Sequence, residues 1–529
     1  MKELKEKETQ TARKLRGGYY TPYPIAEYLW KYVKENNPKQ VLEPAAGDGA
    51  LLKPIDNSDI NIDAIEYQDS EAEKINKNIN IPQVKVYVTD FFKWFDDHKI
   101  QEYDAVLSNP PYIRYQYLTD RQRTIQSEIL VDNSMRSNRL INAWVAFVVA
   151  AISMLKEGGR IGLVIPSDLL QVTYAKDLRQ FMLRNLKELN IISFRNAVFP
   201  ETEQRFILLL GIKGRGEPKF KHIVVDDIHD LPDLNKISTE PLPENSEKWS
   251  DLVLPRRERE FLYSHKKDWE LFNNLANVEV GITTGANPFF SLTQEQVLNI
   301  DAKDFVRPLL GRSVSVNGLF YNKEKLIENA EKGQKVWLLD LNNKDYISLP
   351  IKLRNYISEA EHNHVNTAYK LRIRNIWYQI PSIWVPQAFL LRRIGNLPKL
   401  VINKVNAVST DTFHRVSILD KVNINLLLIA FYSSLSLVYV ELAGRSYGGG
   451  ALEILPGDSS QFRLPAVNYY QSIDLNKEVK ILNDLIKTSD PQKISKFCDE
   501  VLKEKVDFQF DDQQYRKILR KLHQFRINN

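Results

Sequence analysis

The sequence predicts an α/β fold: a doubly wound, mostly parallel seven-stranded sheet, followed by a separate C-terminal α+β domain and a helical tail. Three observations predict it. Short β-rich runs alternate with helical patterns over the first 240 residues, the rhythm of parallel strands joined by crossover helices. At 529 residues the chain holds several domains, since one domain takes roughly 100–200 residues. Its 43% hydrophobic and 26% charged residues exclude wholesale disorder and fibrous repeats.

The predicted strands are Gln40–Glu43, Ile62–Glu66, Val84–Thr89, Ala105–Ser108, Arg160–Pro166, Ile191–Phe194 and Arg205–Ile212, with helices between them such as Ser70–Asn78 and Asn142–Leu155. No helical pattern separates the last two strands, so they are expected to form an antiparallel hairpin at one edge. Residues 217–250 turn acidic and proline-punctuated (Asp226, Asp227, Asp230, Pro232, Pro241, Pro243) and read as a linker. The expected domains are therefore 1–240, 241–470 and a helical cap over 471–529, where Lys, Asp, Leu and Ile recur at helical spacing.

Charge divides unevenly. Residues 1–240 carry net −1 and residues 241–529 net +6. Lys370–Lys421 alone holds nine basic residues against Asp411 and Asp420, interleaved with Trp377, Tyr378, Trp384, Phe389 and Phe413. Such a stretch is either a nucleic-acid surface or the solvated basic face of a second domain. Its candidate contacts are Arg372, Arg374, Trp377, Arg392, Arg393, Lys404 and Arg415. The single cysteine, Cys498, excludes a disulfide framework and a cysteine-rich zinc site. The eight histidines form no ligand-spaced cluster, so no metal is expected. The charged N-terminus lacks a signal-peptide core, and Val422–Ala443, the longest apolar contender, carries Asn423, Asn425 and Glu441 and reads as a buried helix. A soluble protein of the prokaryotic cytoplasm is expected.

Chemistry gathers at the strand ends. Glu43-Pro44-Ala45-Ala46-Gly47-Asp48-Gly49 is a strand running into a glycine turn that opens a helix, where backbone can approach a ligand closely. The second strand ends in Glu66, 19 residues after Gly47, placed to accept ribose hydroxyls of an adenosine. The third ends in Thr89-Asp90-Phe91, an acid for an adenine amino group beside a ring for the base. Each acid alone reads as a cap, but three strand ends in register with matching ligand chemistry do not.

The fourth strand ends in Asn109-Pro110-Pro111-Tyr112. Two prolines fix this backbone so that the Pro110 carbonyl points into a pocket beside the Asn109 amide oxygen. Two convergent acceptors hold an exocyclic amino group by its hydrogens and turn its lone pair toward an electrophile. That is catalysis by positioning and by stabilising charge that grows on nitrogen. Tyr112 can stack on a planar substrate.

These motifs resemble the gamma-class, TaqI-like N6-adenine DNA methyltransferases of type II restriction–modification systems, strongly over residues 17–212 and more loosely beyond. The resemblance implies a Rossmann-like methyltransferase domain that binds S-adenosylmethionine. Gly18-Tyr19-Tyr20-Thr21-Pro22 matches the motif that closes the methionine end, implying Tyr20 and Thr21 as contacts. Glu43, Ala45, Gly47 and Gly49 match the methionine and ribose loop, Glu66 the ribose acid, and Asp90 and Phe91 the adenine contacts. Asn109, Pro110, Pro111 and Tyr112 match the amino-group clamp, and Phe199 the aromatic that sandwiches the flipped base. The basic residue often found three positions further is Thr202 here.

The motif order implies the gamma arrangement, in which the C-terminal domain reads DNA. Residues 280–286 and 447–458 resemble pieces of such domains, which adds Tyr447 and Gly449 as DNA contacts. The implied partner is double-stranded DNA, bound by a monomer and protected from a cognate restriction endonuclease. The alternative activity is the same clamp acting on a protein glutamine or an RNA base amino group, and the large C-terminal half argues against it. A non-catalytic DNA-binding subunit is disfavoured by the intact motifs. Cytosine C5 chemistry needs a cysteine nucleophile, and Cys498 lies far from them.

Overall fold

The computed structural model describes residues 20–56, 59–79, 81–113, 115–137, 141–196, 198, 205–243, 248–265, 269–446 and 450–527. They form two compact units, one running to Arg259 and the other holding Glu260–Ser446 and Gly450–Ile527.

The first unit begins with α1 (Tyr23–Lys34), which follows Pro22 and carries Pro24 in its first turn, where a missing N–H costs no intrahelical bond. Its Ile25, Ala26, Leu29 and Val33 are buried on the sheet. A Cβ at Gly162 would lie 3.3 Å from Leu29 Cδ2, so the glycine lets this helix lie flat on the strand beneath it. Then come β1 (Gln40–Glu43), β2 (Asn61–Glu66), α2 (Asp69–Asn78), β3 (Val84–Val88), α3 (Phe91–His98) and β4 (Tyr103–Ser108). They are followed by α4 (Asp120–Asp132), α5 (Ala143–Ser153) and β5 (Leu155–Pro166). Ten consecutive residues of α5, Ala143–Ile152, are buried, so this helix is enclosed on every side and shows no polar face.

The sheet has eight strands in the order β3-β2-β1-β4-β5-β7-β6-β8, where β6 is Leu186–Phe194, β7 is Phe206–Lys213 and β8 is Lys219–Val225. β7 runs antiparallel between β5 and β6, and the other pairings are parallel. The doubly wound α/β class read from the sequence is present, with two corrections. An eighth strand forms from the first part of the supposed linker, because Lys219–Val225 carries Phe220 and the β-branched run Ile223-Val224-Val225 and pairs with β6 over its whole length. Further along, Trp249 is fully buried in the first unit's core and its backbone N–H donates to the Leu170 carbonyl. Residues 217–259 therefore belong to the first unit, and its limit lies near 259 rather than 240.

The second unit is α+β. Its five-stranded sheet runs Ala276–Glu279, Phe413–Ile418, Ala388–Leu391, Leu400–Asn403, Phe320–Tyr321 in spatial order. A four-stranded sheet runs Ser291–Leu292, Trp337–Leu339, Val306–Leu310, Val408–Ser409. The apolar stretch read as one buried helix is two, Ile424–Phe431 and Ser434–Ala443, bent by 69° at a break capped by the Ser433 hydroxyl. Among the described residues no single helix is long and apolar enough to cross a membrane. The tail helices Asn476–Ile486, Pro491–Lys505 and Asp512–Ile527 are part of this unit rather than a separate cap. Asp499 accepts the Ser434 N–H at 2.9 Å, and Arg526 makes a buried bidentate pair with Glu441, 2.8 Å at each oxygen.

Candidate active site

The chain passes from β1 outward to β2 and β3, then returns to β4 and continues to β5 on the other side. The two directions part between β1 and β4, and a ligand crevice opens there, outside the carboxyl ends of the strands. Both central motifs lie at this point.

After β1 the chain turns at Gly47 (φ +55°) and Gly49 (φ +80°), left-handed conformations suited to glycine. A Cβ at Gly47 would meet nothing within 4 Å, whereas at Gly49 it would sit 3.1 Å from Ile79 Cγ1. Gly49 thus serves close packing, and Gly47 borders open space over the crevice. Ala46 N–H donates to the Ile65 carbonyl and Gly47 N–H to Glu66 Oε2, at 2.9 and 2.8 Å, which ties the loop to the end of β2. Glu66 also accepts the Gln68 N–H through Oε1 at 2.8 Å. This acid is a strut for the glycine loop, and each oxygen keeps a second acceptor direction for a ligand hydroxyl. Burial pushes its carboxyl above the ordinary range.

Glu43 is 1% exposed, and among the described residues its Oε2 has no hydrogen-bond partner. Burial, with Asp48 and Glu66 nearby, pushes its carboxyl well above the usual range. Ser108, ending the adjacent strand β4, is equally buried, and its hydroxyl also lacks a partner among the described residues. Buried polar groups are normally paired. Two orphans at neighbouring central strand ends, beside an open glycine turn, fit a polar ligand such as S-adenosylmethionine. Sequence reasoning missed Ser108; its only signal was its place just before the tetrad.

Asp90 caps α3, accepting Lys93 N–H at 3.1 Å, and its second oxygen accepts Gln122 Nε2–H at 2.7 Å. Gln122 is itself locked in the capping box of α4 with Thr119. It was invisible to motif reading because it lies 32 residues from its partner. Phe91, expected against a base, is 3% exposed and stacks on Phe147 at 4.7 Å, so here its ring is a core element.

The tetrad leaves β4 with Asn109 held at both ends. Its Nδ2–H donates to Thr21 Oγ1 at 3.2 Å, and its Oδ1 lies 2.8 Å from the Tyr112 hydroxyl. That hydroxyl also lies 2.9 Å from the Val164 carbonyl. No donor among the described residues takes the carbonyl of buried Pro110, and Pro111 is half-buried. Tyr112, expected as a stacking platform, is 9% exposed and packs against Phe206 at 5.2 Å. Tyr20 is exposed and donates to Glu71 of α2, beside Lys74. Residues 20–22 thus run from α2 to the tetrad. Ala45 lies half-buried in the loop. Phe199, Tyr447 and Gly449 lie outside the described residues.

In the second unit the basic candidates sort into two kinds. Arg374 donates to the Thr283 and Thr284 carbonyls at 3.2 and 2.7 Å. Arg415, 5% exposed, donates to the Val280 and Ser382 carbonyls at 2.9 and 2.7 Å and lies over Trp384. Both are spent inside the domain, bracing the segment 280–286, and are corrected from candidate contacts to braces. Trp377 packs on Phe289 and donates to Glu361, so it too serves the fold. Arg392 pairs with Glu453 at 3.0 Å. Arg372, Arg393 and Lys404 are exposed. Cys498 is fully buried in a tail helix, and burial pushes its thiol well up, which excludes it as a nucleophile.

Residues 33–199 match the Eco57I restriction-modification methylase family model, and residues 246–503 match the C-terminal domain of type II methyltransferase M.Eco57I. The chain is 24% identical to type II methyltransferase M.AccI of Acinetobacter calcoaceticus over 84% of each chain. It is 23% identical to M.BanIII of Aneurinibacillus aneurinilyticus over 74% of this chain and 62% of that one. Among solved structures, the type IIL restriction-modification enzyme MmeI in complex with DNA superposes with a TM-score of 0.56 at 12% identity. The match covers 95% of this chain and 75% of that chain and shows a shared fold. With one family model on each half, the two together matching residues 33–199 and 246–503, the chain belongs to the S-adenosylmethionine-dependent type II restriction–modification methyltransferases.

Proposed function

We propose that this chain transfers a methyl group to the N6 amino group of an adenine turned out of duplex DNA, marking host DNA against a cognate restriction enzyme. The carrying observation is Asn109, set at the carboxyl end of β4, bound through Nδ2 to Thr21, with its oxygen on the Tyr112 side and the untaken Pro110 carbonyl next in sequence. S-adenosylmethionine supplies an electrophilic methyl when bound. Glu43, Glu66 and Asp90 are the acids offered to its polar groups, with Tyr20 and Thr21 closing over the methionine end.

The chain's own residues do the rest by positioning. Asn109 Oδ1 and the Pro110 carbonyl accept the two amino hydrogens. This draws the lone pair out of conjugation with the base and stabilises the positive charge that grows on nitrogen. One amino proton is then lost to water. Extruding the base costs a few kcal/mol of stacking and pairing, which contacts to aromatic side chains offset in part. The second unit, with its exposed Arg372, Arg393 and Lys404, would hold the duplex.

The test is tritiated-methyl transfer to DNA, followed by digestion and identification of the modified nucleoside, with RNA and protein as controls. N6-methyladenine in DNA alone is expected, and Asn109→Ala should abolish transfer while cofactor binding persists. N4-methylcytosine, or label in RNA or protein only, would overturn the proposal. Equal loss of cofactor binding in Asn109→Ala would make the tetrad structural.

A further inference from the structure

We propose that Gln122 is a positioning residue for Asp90, holding its carboxylate at the angle that accepts the amino group of the cofactor's adenine. The inference rests on the cofactor reading above, in which Asp90 meets that adenine, and is independent of which base is methylated. It adds to the cofactor site a side chain from α4, a helix outside the motifs read from the sequence.

The backbone at Asp90 is already fixed. Thr89 N–H donates to the Glu66 carbonyl at 2.9 Å, and the next residue, Phe91, is buried and stacked on Phe147 at 4.7 Å. What the backbone leaves open is rotation of the carboxylate about Cβ–Cγ, a broad torsion with no strong preference of its own. The lone pairs of a carboxylate lie in its plane, so that rotation decides where an acceptor points. One donor does not settle it. Lys93 N–H reaches Oδ1 at 3.1 Å, a cap bond compatible with a range of tilts. Gln122 Nε2–H reaches Oδ2 at 2.7 Å and supplies the second point, so the plane is defined. Among the described residues each oxygen then takes one N–H, and each keeps an acceptor direction for an amino hydrogen.

Gln122 is built to donate. Its Oε1 accepts the Thr119 backbone N–H at 2.8 Å and the Thr119 hydroxyl at 3.1 Å. A backbone N–H only donates, so the amide oxygen must face Thr119 and the NH2 must face Asp90, whose carboxylate only accepts. The orientation of this amide is therefore set at both ends. The capping box of α4 needs only the acceptor end, which a glutamate supplies equally well. The donor end has no use in the cap, and it is the end that touches Asp90.

Two variants separate the two ends. Gln122→Glu keeps the acceptor for Thr119 and removes the donor to Asp90, whereas Gln122→Lys keeps a donor and removes the acceptor. The full chain, without DNA, is titrated calorimetrically with S-adenosylhomocysteine and with its analogue carrying purine, which lacks the amino group. Wild type should bind the adenine form about tenfold or more tighter, the worth of a hydrogen bond to a charged group. Asp90→Ala should abolish that preference. Gln122→Glu should bring it close to unity, chiefly by weakening the adenine form, and Gln122→Lys should keep it within about twofold of wild type. Adding Gln122→Glu to Asp90→Ala should change the preference no further, since the amide acts through that carboxylate. Binding of the purine form shows that each variant is folded.

A bond that only fastened α4 to α3 would weaken both ligands alike and leave the ratio at its wild-type value in Gln122→Glu, and that result overturns the proposal. So does loss of the ratio in Gln122→Lys, since Asp90 would then depend on the cap and not on the donor. If wild type shows no preference, or Asp90→Ala keeps it, Asp90 does not meet the adenine amino group, and that part of the cofactor reading falls together with the proposal. A preference lost in Asp90→Ala and kept in Gln122→Glu removes only the role of Gln122.

Discussion

Replacing Glu66 by Gln separates a strut from a ligand. Its two oxygens each accept one backbone N–H, from Gly47 and from Gln68, both at 2.8 Å. Glutamine keeps one acceptor and turns its NH2 against the other amide. The change thus removes one charge-assisted bond and leaves an N–H without a partner, a cost of about 2 kcal/mol. In a unit of this size 1 kcal/mol moves Tm by about 2–4 °C, so the first unit's transition should fall by about 4–8 °C. Gly47, released from its tie, no longer holds the crevice floor, and cofactor Kd should rise about tenfold for each 1.4 kcal/mol of lost positioning. Differential scanning calorimetry gives the first number and isothermal titration with S-adenosylmethionine the second. A tenfold loss of affinity with an unmoved Tm would mean that Glu66 is a ligand and no strut, and the reasoning from the Gly47 bond would be wrong.

Arg415 and Arg372 should behave as opposites. Arg415→Ala removes a buried guanidinium that donates to the Val280 and Ser382 carbonyls and lies over Trp384, and should cost about 2 kcal/mol of second-unit stability, read by chemical denaturation. Arg372→Ala should leave stability unchanged and lower DNA affinity, with the salt slope reduced by about one; an unchanged slope would remove Arg372 from the DNA surface. His222 is buried beside Ser193 and near Arg259, and burial lowers its pKa to about 3. Because the folded state disfavours the proton, stability is full above the unfolded pKa near 6.5 and is lost as pH falls toward 3. Between pH 6.5 and 5 the loss should reach about 2 kcal/mol, and His222→Gln should abolish it; a variant with the wild-type pH slope would refute the assignment.

What the sequence carried was what is local in the chain. The strand–turn segments Glu43–Gly49 and Asn109–Tyr112 each put their chemistry within one turn of backbone, so residue order alone announced them. Alternation of strand and helix patterns was enough for the fold class. The eighth strand escaped because acids and prolines follow it, and its pairing with β6 is not a property of its own composition.

The basic stretch was legible as charge but not as surface. Whether an arginine reaches solvent depends on the neighbours that claim its donors, and the carbonyls of Val280, Thr283 and Thr284 claim Arg415 and Arg374 from about a hundred residues away. The same holds at the site. The sequence by itself determined which groups are available: a glycine turn, three strand-end acids and an amide beside two prolines. The tertiary structure alone decided how they are held, with Asn109 between Thr21 and Tyr112, Asp90 against Gln122, and Glu43 Oε2 and the Ser108 hydroxyl buried without a partner among the described residues. The physical reason is that hydrogen-bond partners and burial are set by distances across the fold, which local residue patterns do not contain.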